Sequence, residues 1–385
     1  MRFIYLTMII FFVSLNLRPS ITSVGPLLDI IQTDLGMSAV TASLITALPV
    51  FCMGLFSILS IKLNNRLGLE KSLLVAMLLI FLATFLRMFV HNSLLLFATA
   101  LLSGIGIGIA GPLITGFIKK YFPNNHGLMG IYTVAMVIGA AIASSFSVPI
   151  YQRMNDSWQY SLSFWSILAV PAALLLLPLL KNAEKSKGTQ SFSTLFVKKN
   201  RVTLFMVFFG CMAAIFYSMT AWLAPIAQSV GFSYAESGLI LTLFTVVQVP
   251  VSFLIPVLVS KTGNRKIWLL ACCLLELIGV IILLLHLSPW IATVLLGIGA
   301  GGLFPLALLL PIQEAKNIEE TISWSAMMQF GGYLLAALGP AFIGLTVDVF
   351  DDFLPAFLVL LGIICIMFFT ILKIGNNSQV DEGSN

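Results

Sequence analysis

Apolar runs of about twenty residues alternate with short polar breaks along almost the whole chain. A helix rises 1.5 Å per residue, so roughly 20 apolar residues cross a hydrocarbon core about 30 Å thick. Such runs lie at 3–32, 40–61, 71–91, 93–118, 127–150 and 160–180, followed by a polar stretch from Lys181 to Arg201. Six more lie at 202–227, 236–259, 266–286, 289–312, 321–346 and 353–373. The pattern predicts an all-α polytopic membrane protein with twelve transmembrane helices. Residues 1–180 and 202–374 are the expected six-helix halves, 181–201 a cytoplasmic linker and 375–385 a disordered cytoplasmic tail. The opening run, Arg2 followed by Phe3 to Leu15, has the outline of a signal peptide. No small-x-small cleavage site follows it, and apolar sequence resumes after Asn16-Leu17-Arg18-Pro19, so it reads as one uncleaved, interrupted span.

Composition strengthens this reading. Only 9% of the 385 residues are charged and 59% are hydrophobic, against roughly 25% charged in a soluble domain. Mean hydropathy is +1.05. The net charge of +5 is no nucleic-acid signature, because the basic residues sit in alternate loops. With the N-terminus inside, 17 of the 20 Lys and Arg residues fall in inside segments, which predicts cytoplasmic N- and C-termini. The five cysteines lie in apolar runs without CxxC or Cys/His spacing. Neither a disulfide framework nor a metal or other cofactor is expected.

The chain repeats itself. A shift of 195 residues places Gly36 on Gly231, Ser38 on Ser233, Arg66 on Lys261, Lys71 on Lys266, Gly104 on Gly299 and Gly106 on Gly301. Two halves of like topology joined by a linker predict a parallel-repeat transporter, its binding site near the bilayer midplane between the halves.

Arg18 is the sharpest chemical feature. It lies near the middle of the first span, where a guanidinium costs at least roughly 2.5 kcal/mol. It therefore calls for a water-filled cavity, an internal carboxylate or an anionic ligand. The shifted position is Ala213, so the charge has no counterpart in the second half. Asn16 and Pro19 flank it, and Pro19 is expected to kink the helix by removing a backbone donor. Asp29 shares the Arg18 stripe but lies eleven residues on, about 16 Å along the axis and too far for a direct pair. Glu276 is a carboxyl deep in the ninth span. A carboxyl held away from water favours its neutral form, so Glu276 and Asp29 are candidates for carrying a coupling proton, with helix–helix hydrogen bonding the alternative for Glu276. Arg87, at the far end of the third span, is expected to snorkel to the interface. Tyr132, Tyr217, Trp222, Gln248, Gln329 and Tyr333 are polar or aromatic groups within spans and candidates for lining the substrate pathway. Each alone could instead bond a neighbouring helix. Glycines cluster at Gly104, Gly106, Gly108 and Gly111, and again at Gly297, Gly299, Gly301 and Gly302. With Pro340 they are candidates for close packing and gating. No nucleotide loop, nucleophile elbow or metal motif is present in the sequence, so an enzyme is not expected and any transport would be secondary.

Several stretches resemble one family. They are LNLRP at 15–19, SVGPLL at 23–28, KLNNRLGLEK at 62–71, SWQYSLSFW at 157–165, AWLAP at 221–225 and MMQFGGYLLAALGPAFIGLTVD at 327–348. Together they resemble the cyanate/2-nitroimidazole transporters of the major facilitator superfamily, nearly end to end. The resemblance implies the major facilitator fold and a bacterial inner-membrane permease for a small anion or small polar organic solute. It also makes Arg66, Gly68, Lys71, Arg265 and Lys266 the cytoplasmic loop motif. Asn65 stands where the superfamily loop carries an Asp, and the second-half loop is equally reduced. The expected activity is secondary or facilitated transport by alternating access, as symport or antiport, with Arg18 in the substrate site. Drug or toxic-compound efflux is the alternative, and a non-transporting membrane sensor the less favoured one. The expected partners are a small solute and the lipid bilayer, with no nucleic acid, and the protein is expected to act as a monomer.

Overall fold

The computed structural model describes residues 2–37, 39–123, 127–182, 199–350 and 352–375. Every regular element among them is helical. The first half contains α1 (Arg2–Leu15), α2 (Pro19–Thr22), α3 (Leu28–Asp34), α4 (Ala39–Ser57), α5 (Leu59–Leu67), α6 (Leu69–Phe85), α7 (Ser93–Tyr121), α8 (Leu128–Arg153), α9 (Trp158–Phe164) and α10 (Ala169–Leu176). The second contains α11 (Lys199–Ser229), α12 (Tyr234–Thr262), α13 (Arg265–Leu284), α14 (Pro289–Glu314), α15 (Ile318–Phe350) and α16 (Leu354–Ile374). Eleven helices among the described residues are long and apolar enough to cross a membrane, and a bent pair, Ala47–Ser57 with Leu59–Leu67, makes the twelfth.

Two compact units emerge, Met1–Leu195 with Ala315–Phe330, and Phe196–Glu314 with Gly331–Asn385. The first half of α15 therefore packs in the first unit. There Ser57 Oγ donates to the Ala326 carbonyl (2.9 Å), and Thr115 Oγ1 donates to Ser325 Oγ (2.8 Å). The expected linker falls largely on 183–198 and the expected tail on 376–385, both outside the described residues.

The bent pair turns by 53°, at Ile58 and not at Pro49. Ser57 Oγ also bonds Gly54 O (2.7 Å) and Ser60 Oγ bonds Ser57 O (2.6 Å). Hydroxyls that bond back onto a helical ladder compete with its N–H groups and bend it.

Each unit carries the repeat in its backbone. Gly36 and Gly231 have φ of 60° and 97°, and Gly68 and Gly263 have 82° and 64°. Side chains rarely adopt this region, which accounts for glycine at all four positions. Gly36 and Gly231 close the same turn, with matching bonds to Thr33 O and Gln228 O, whereas Gly68 and Gly263 differ in ψ (166° and 3°). The fourth and tenth spans, however, correspond at a shift of 193, which corrects the pairing of Gly104 with Gly299. Gly104 faces Pro49 and Cys52 on α4, and Gly297 faces Phe244 and Val247 on α12. Gly108 meets Met53 and Gly301 meets Gln248, while Gly106 and Gly299 turn to α6 and α13. Pro112 then matches Pro305.

Glu70 falls on Arg265 at a shift of 195 and Tyr121 on Glu314 at 193, and these helix ends form one clamp built twice with opposite charge. In the first unit, Glu70 at the start of α6 accepts from Lys120 Nζ (2.5 Å) and Tyr121 Oη (2.8 Å) at the end of α7. In the second, Arg265 at the start of α13 donates to Gln313 Oε1 (3.1 Å) and to Glu314 at the end of α14. Arg201 joins the second clamp, reaching Glu314 through Nε and Nη2 at 2.6 Å each. Arg265 and Arg201 also donate to the carbonyls of Gly375, Lys373 and Ile374 that end α16.

Candidate functional site

The first span is broken where the sequence places Arg18. Pro19 has no N–H to offer the Leu15 carbonyl, so the ladder of α1 stops there. Arg18 adopts φ −118° and ψ −34° ahead of the single turn α2. Its carbonyl accepts from Ile21 N (3.0 Å), Thr22 N (3.0 Å) and Thr22 Oγ1 (3.2 Å). Neighbouring groups accommodate the break. Gly139 of α8 approaches so closely that a Cβ on it would lie 2.3 Å from the Leu15 carbonyl oxygen. Asn16 Nδ2 donates to Phe12 O and to Leu168 O, both at 2.7 Å. Asn16 is buried, and its amide stitches the end of α1 to the sixth span.

Arg18 itself is half-buried. Tyr132 of α8 is buried in the same unit. Gln329 belongs to the same unit. Its side-chain oxygen lies 2.5 Å from where a Gly111 Cβ would stand, and its buried Nε2 has no hydrogen-bond partner. The Asp29 side chain lies outside the described residues.

The remaining predicted lining residues sit in the second unit. Trp222 donates its indole N–H to the Pro340 carbonyl (3.1 Å) and packs edge-on to Phe353. Gln248 Nε2 donates to Phe244 O (2.9 Å) beside Gly301. Tyr333 is buried with its ring edge-on to Phe209, at 5.1 Å between centroids. Tyr217 is half-buried against Phe216. Glu276 is wholly buried between α13 and α14, and neither carboxyl oxygen has a hydrogen-bond partner. A Cβ at Gly299 would lie 2.4 Å from its Cγ. Of the loop motif, Arg66 and Lys71 are exposed, Lys266 is half-buried and Arg265 is drawn into the clamp.

Arg87 departs from expectation. It does not snorkel: it is 0% exposed, and Nη1 donates to the Ser20 carbonyl (2.7 Å) on the turn that follows Arg18. A broken helix leaves carbonyls without their usual donors, and Arg87 fills one of those vacancies. Reading the sequence also missed Glu70, Arg201 and Glu314. Their signal is a charged residue at one helix end with a complementary partner at the end of the next, visible only once the helices are paired in space.

Comparison with known proteins fits this architecture. A family model for the Major Facilitator Superfamily matches residues 5–336 and 204–382. An uncharacterized transporter of Bacillus subtilis, YycB, is 33% identical over 93% of this chain and 90% of its own. The cyanate transport protein CynX of Escherichia coli is 30% identical over 90% and 91%, and the 2-nitroimidazole transporter of Escherichia coli 29% over 87% and 86%. Among solved structures, the proton:xylose symporter XylE superposes with a TM-score of 0.78 at 14% identity, covering 96% of this chain and 94% of that one. The human organic anion transporter MFSD10 gives 0.76 at 14%, covering 95% and 99%. With the family model and these relatives running nearly end to end, the chain belongs to the Major Facilitator Superfamily, as a multi-pass membrane transporter related to the cyanate and 2-nitroimidazole transporters.

Proposed function

We propose that the protein carries a small anion or small planar polar solute across a bacterial plasma membrane by alternating access, with Arg18 as the recognition cation. The observation that carries this is a half-buried guanidinium at a break in the first span. A charge placed there is expensive unless it serves a pathway or a ligand. The planar fork of a guanidinium suits anions and flat polar solutes, and relatives named for cyanate and 2-nitroimidazole fit that chemistry. The loop charges favour cytoplasmic termini. Glu276, buried without a partner, is the described carboxyl to test for proton coupling, and Asp29 is the other candidate on the first span. The protein is taken to act as a monomer.

The test is uptake of labelled cyanate into proteoliposomes. Arg18→Ala should abolish it with insertion intact, and Arg18→Lys should impair it because the bidentate fork is lost. Normal uptake by Arg18→Ala would show the assignment to be wrong. A second reading, export, is favoured by a 26% identical relative named nitrite extrusion protein. Loading the same vesicles internally and following efflux separates the directions.

A further inference from the structure

Among the described residues, Arg87 has no counter-charge. It is 0% exposed, its Nη1 is held by the Ser20 carbonyl, and its Nε and Nη2 have no hydrogen-bond partner. No ion pair among the described residues involves it. Asp34, an exposed carboxylate, accepts instead from the Trp158 indole N–H (2.8 Å). The turn that meets Arg87 offers two more unused groups. Ser20 Oγ and Ser23 Oγ, at 2% and 0% exposure, are likewise without partners. Three residues apart, they share a face of that short helical segment.

Buried polar groups in native proteins are nearly always satisfied, and a desolvated cation without a counter-charge costs several kcal/mol. A guanidinium with two unpartnered nitrogens, bonded to the carbonyl of a turn that carries two unpartnered hydroxyls, is one half of an anion complex. We propose that Arg87, Ser20 and Ser23 form a second anion-binding site beside the break in the first span. The ligand class is a small monovalent anion. One negative charge neutralises the guanidinium, and the complete enclosure excludes anything bulky. Resting on the reading that the transported solute is anionic, this makes the site a stepping point next to Arg18. The two cations share one stretch of broken backbone, since Arg87 grips the carbonyl two residues beyond Arg18.

The test is titration of the detergent-purified protein with sodium thiocyanate, ionic strength being held with bulky gluconate, while the apparent Tm is followed. A bound ligand raises stability as ln(1 + [L]/Kd). Arg18→Ala is expected to keep a saturable thiocyanate-dependent rise, and Arg18→Ala/Arg87→Gln to lose it. Adding Ser20→Ala/Ser23→Ala to Arg18→Ala preserves every charge and should weaken Kd about tenfold. That variant decides the matter if the Arg87 variant does not fold. No thiocyanate response in Arg18→Ala, or a Kd unchanged in both further variants, would overturn the second site. Failure of the Arg18 reading shows separately, as unimpaired transport by Arg18→Ala.

Discussion

The two clamps should fail by very different amounts when their carboxylates are neutralised. Glu314→Gln keeps the shape of the side chain but removes the one negative charge between Arg265 and Arg201. The Arg265 side chain is 4% exposed and that of Arg201 24%, so one cation is stranded away from water facing another. Breaking a buried pair in this way costs about 3 kcal/mol or more. Glu70→Gln is the matched change in the first unit. There the Lys120 side chain is 26% exposed and can turn to solvent, while Tyr121 can still donate to the amide oxygen. That loss is about 1 kcal/mol. At about 2–4 °C per kcal/mol for a unit of this size, apparent Tm should fall by about 6–12 °C for Glu314→Gln and about 2–4 °C for Glu70→Gln. Thermal unfolding of purified protein, followed by intrinsic tryptophan fluorescence, measures both. Equal losses in the two variants would refute the argument that burial and the second arginine set the cost.

Gly139→Ala should lower transport sharply while leaving the amount of inserted protein unchanged, because its Cβ would strike the Leu15 carbonyl oxygen and push the broken segment that presents Arg18. Initial uptake rates normalised to protein content check this. Gly299→Ala should cost about 1–3 kcal/mol through overlap with Glu276 Cγ. Gly362→Ala, in a helix with nothing within 4 Å, should gain up to about 1 kcal/mol; the sign of each Tm shift is the readout.

Much of the site's backbone was legible because its cause is local. A proline without an N–H breaks the ladder wherever it stands, and Asn16-Leu17-Arg18-Pro19 announces the break. What depended on distant neighbours was not legible. Arg87 lies at a helix end, where an arginine ordinarily reaches water, and only its approach to the Ser20 carbonyl explains its burial. The second span bends at the hydroxyls of Ser57 and Ser60, which nothing in the hydrophobic pattern marks. The amides of Asn16 and Gln248 and the indole of Trp222 have N–H groups engaged by carbonyls, which sequence position alone does not reveal. The repeat register slipped for a different reason. Glycines at every second position match themselves after a shift of two, so 193 and 195 look alike until their contacts are known.

The opposite signs of the two clamps bear on how the protein is made. Two halves of similar topology and length emerge into the bilayer one after the other, and helices from one resemble docking partners for the other. If α6 were to seat against α14, Glu70 would face Glu314, and α13 against α7 would set Arg265 beside Lys120. Like charges meeting at a buried helix end make both exchanges costly, whereas each correct pairing joins unlike charges. Inversion of the clamp thus sets a like-charge penalty against seating either helix in the wrong half.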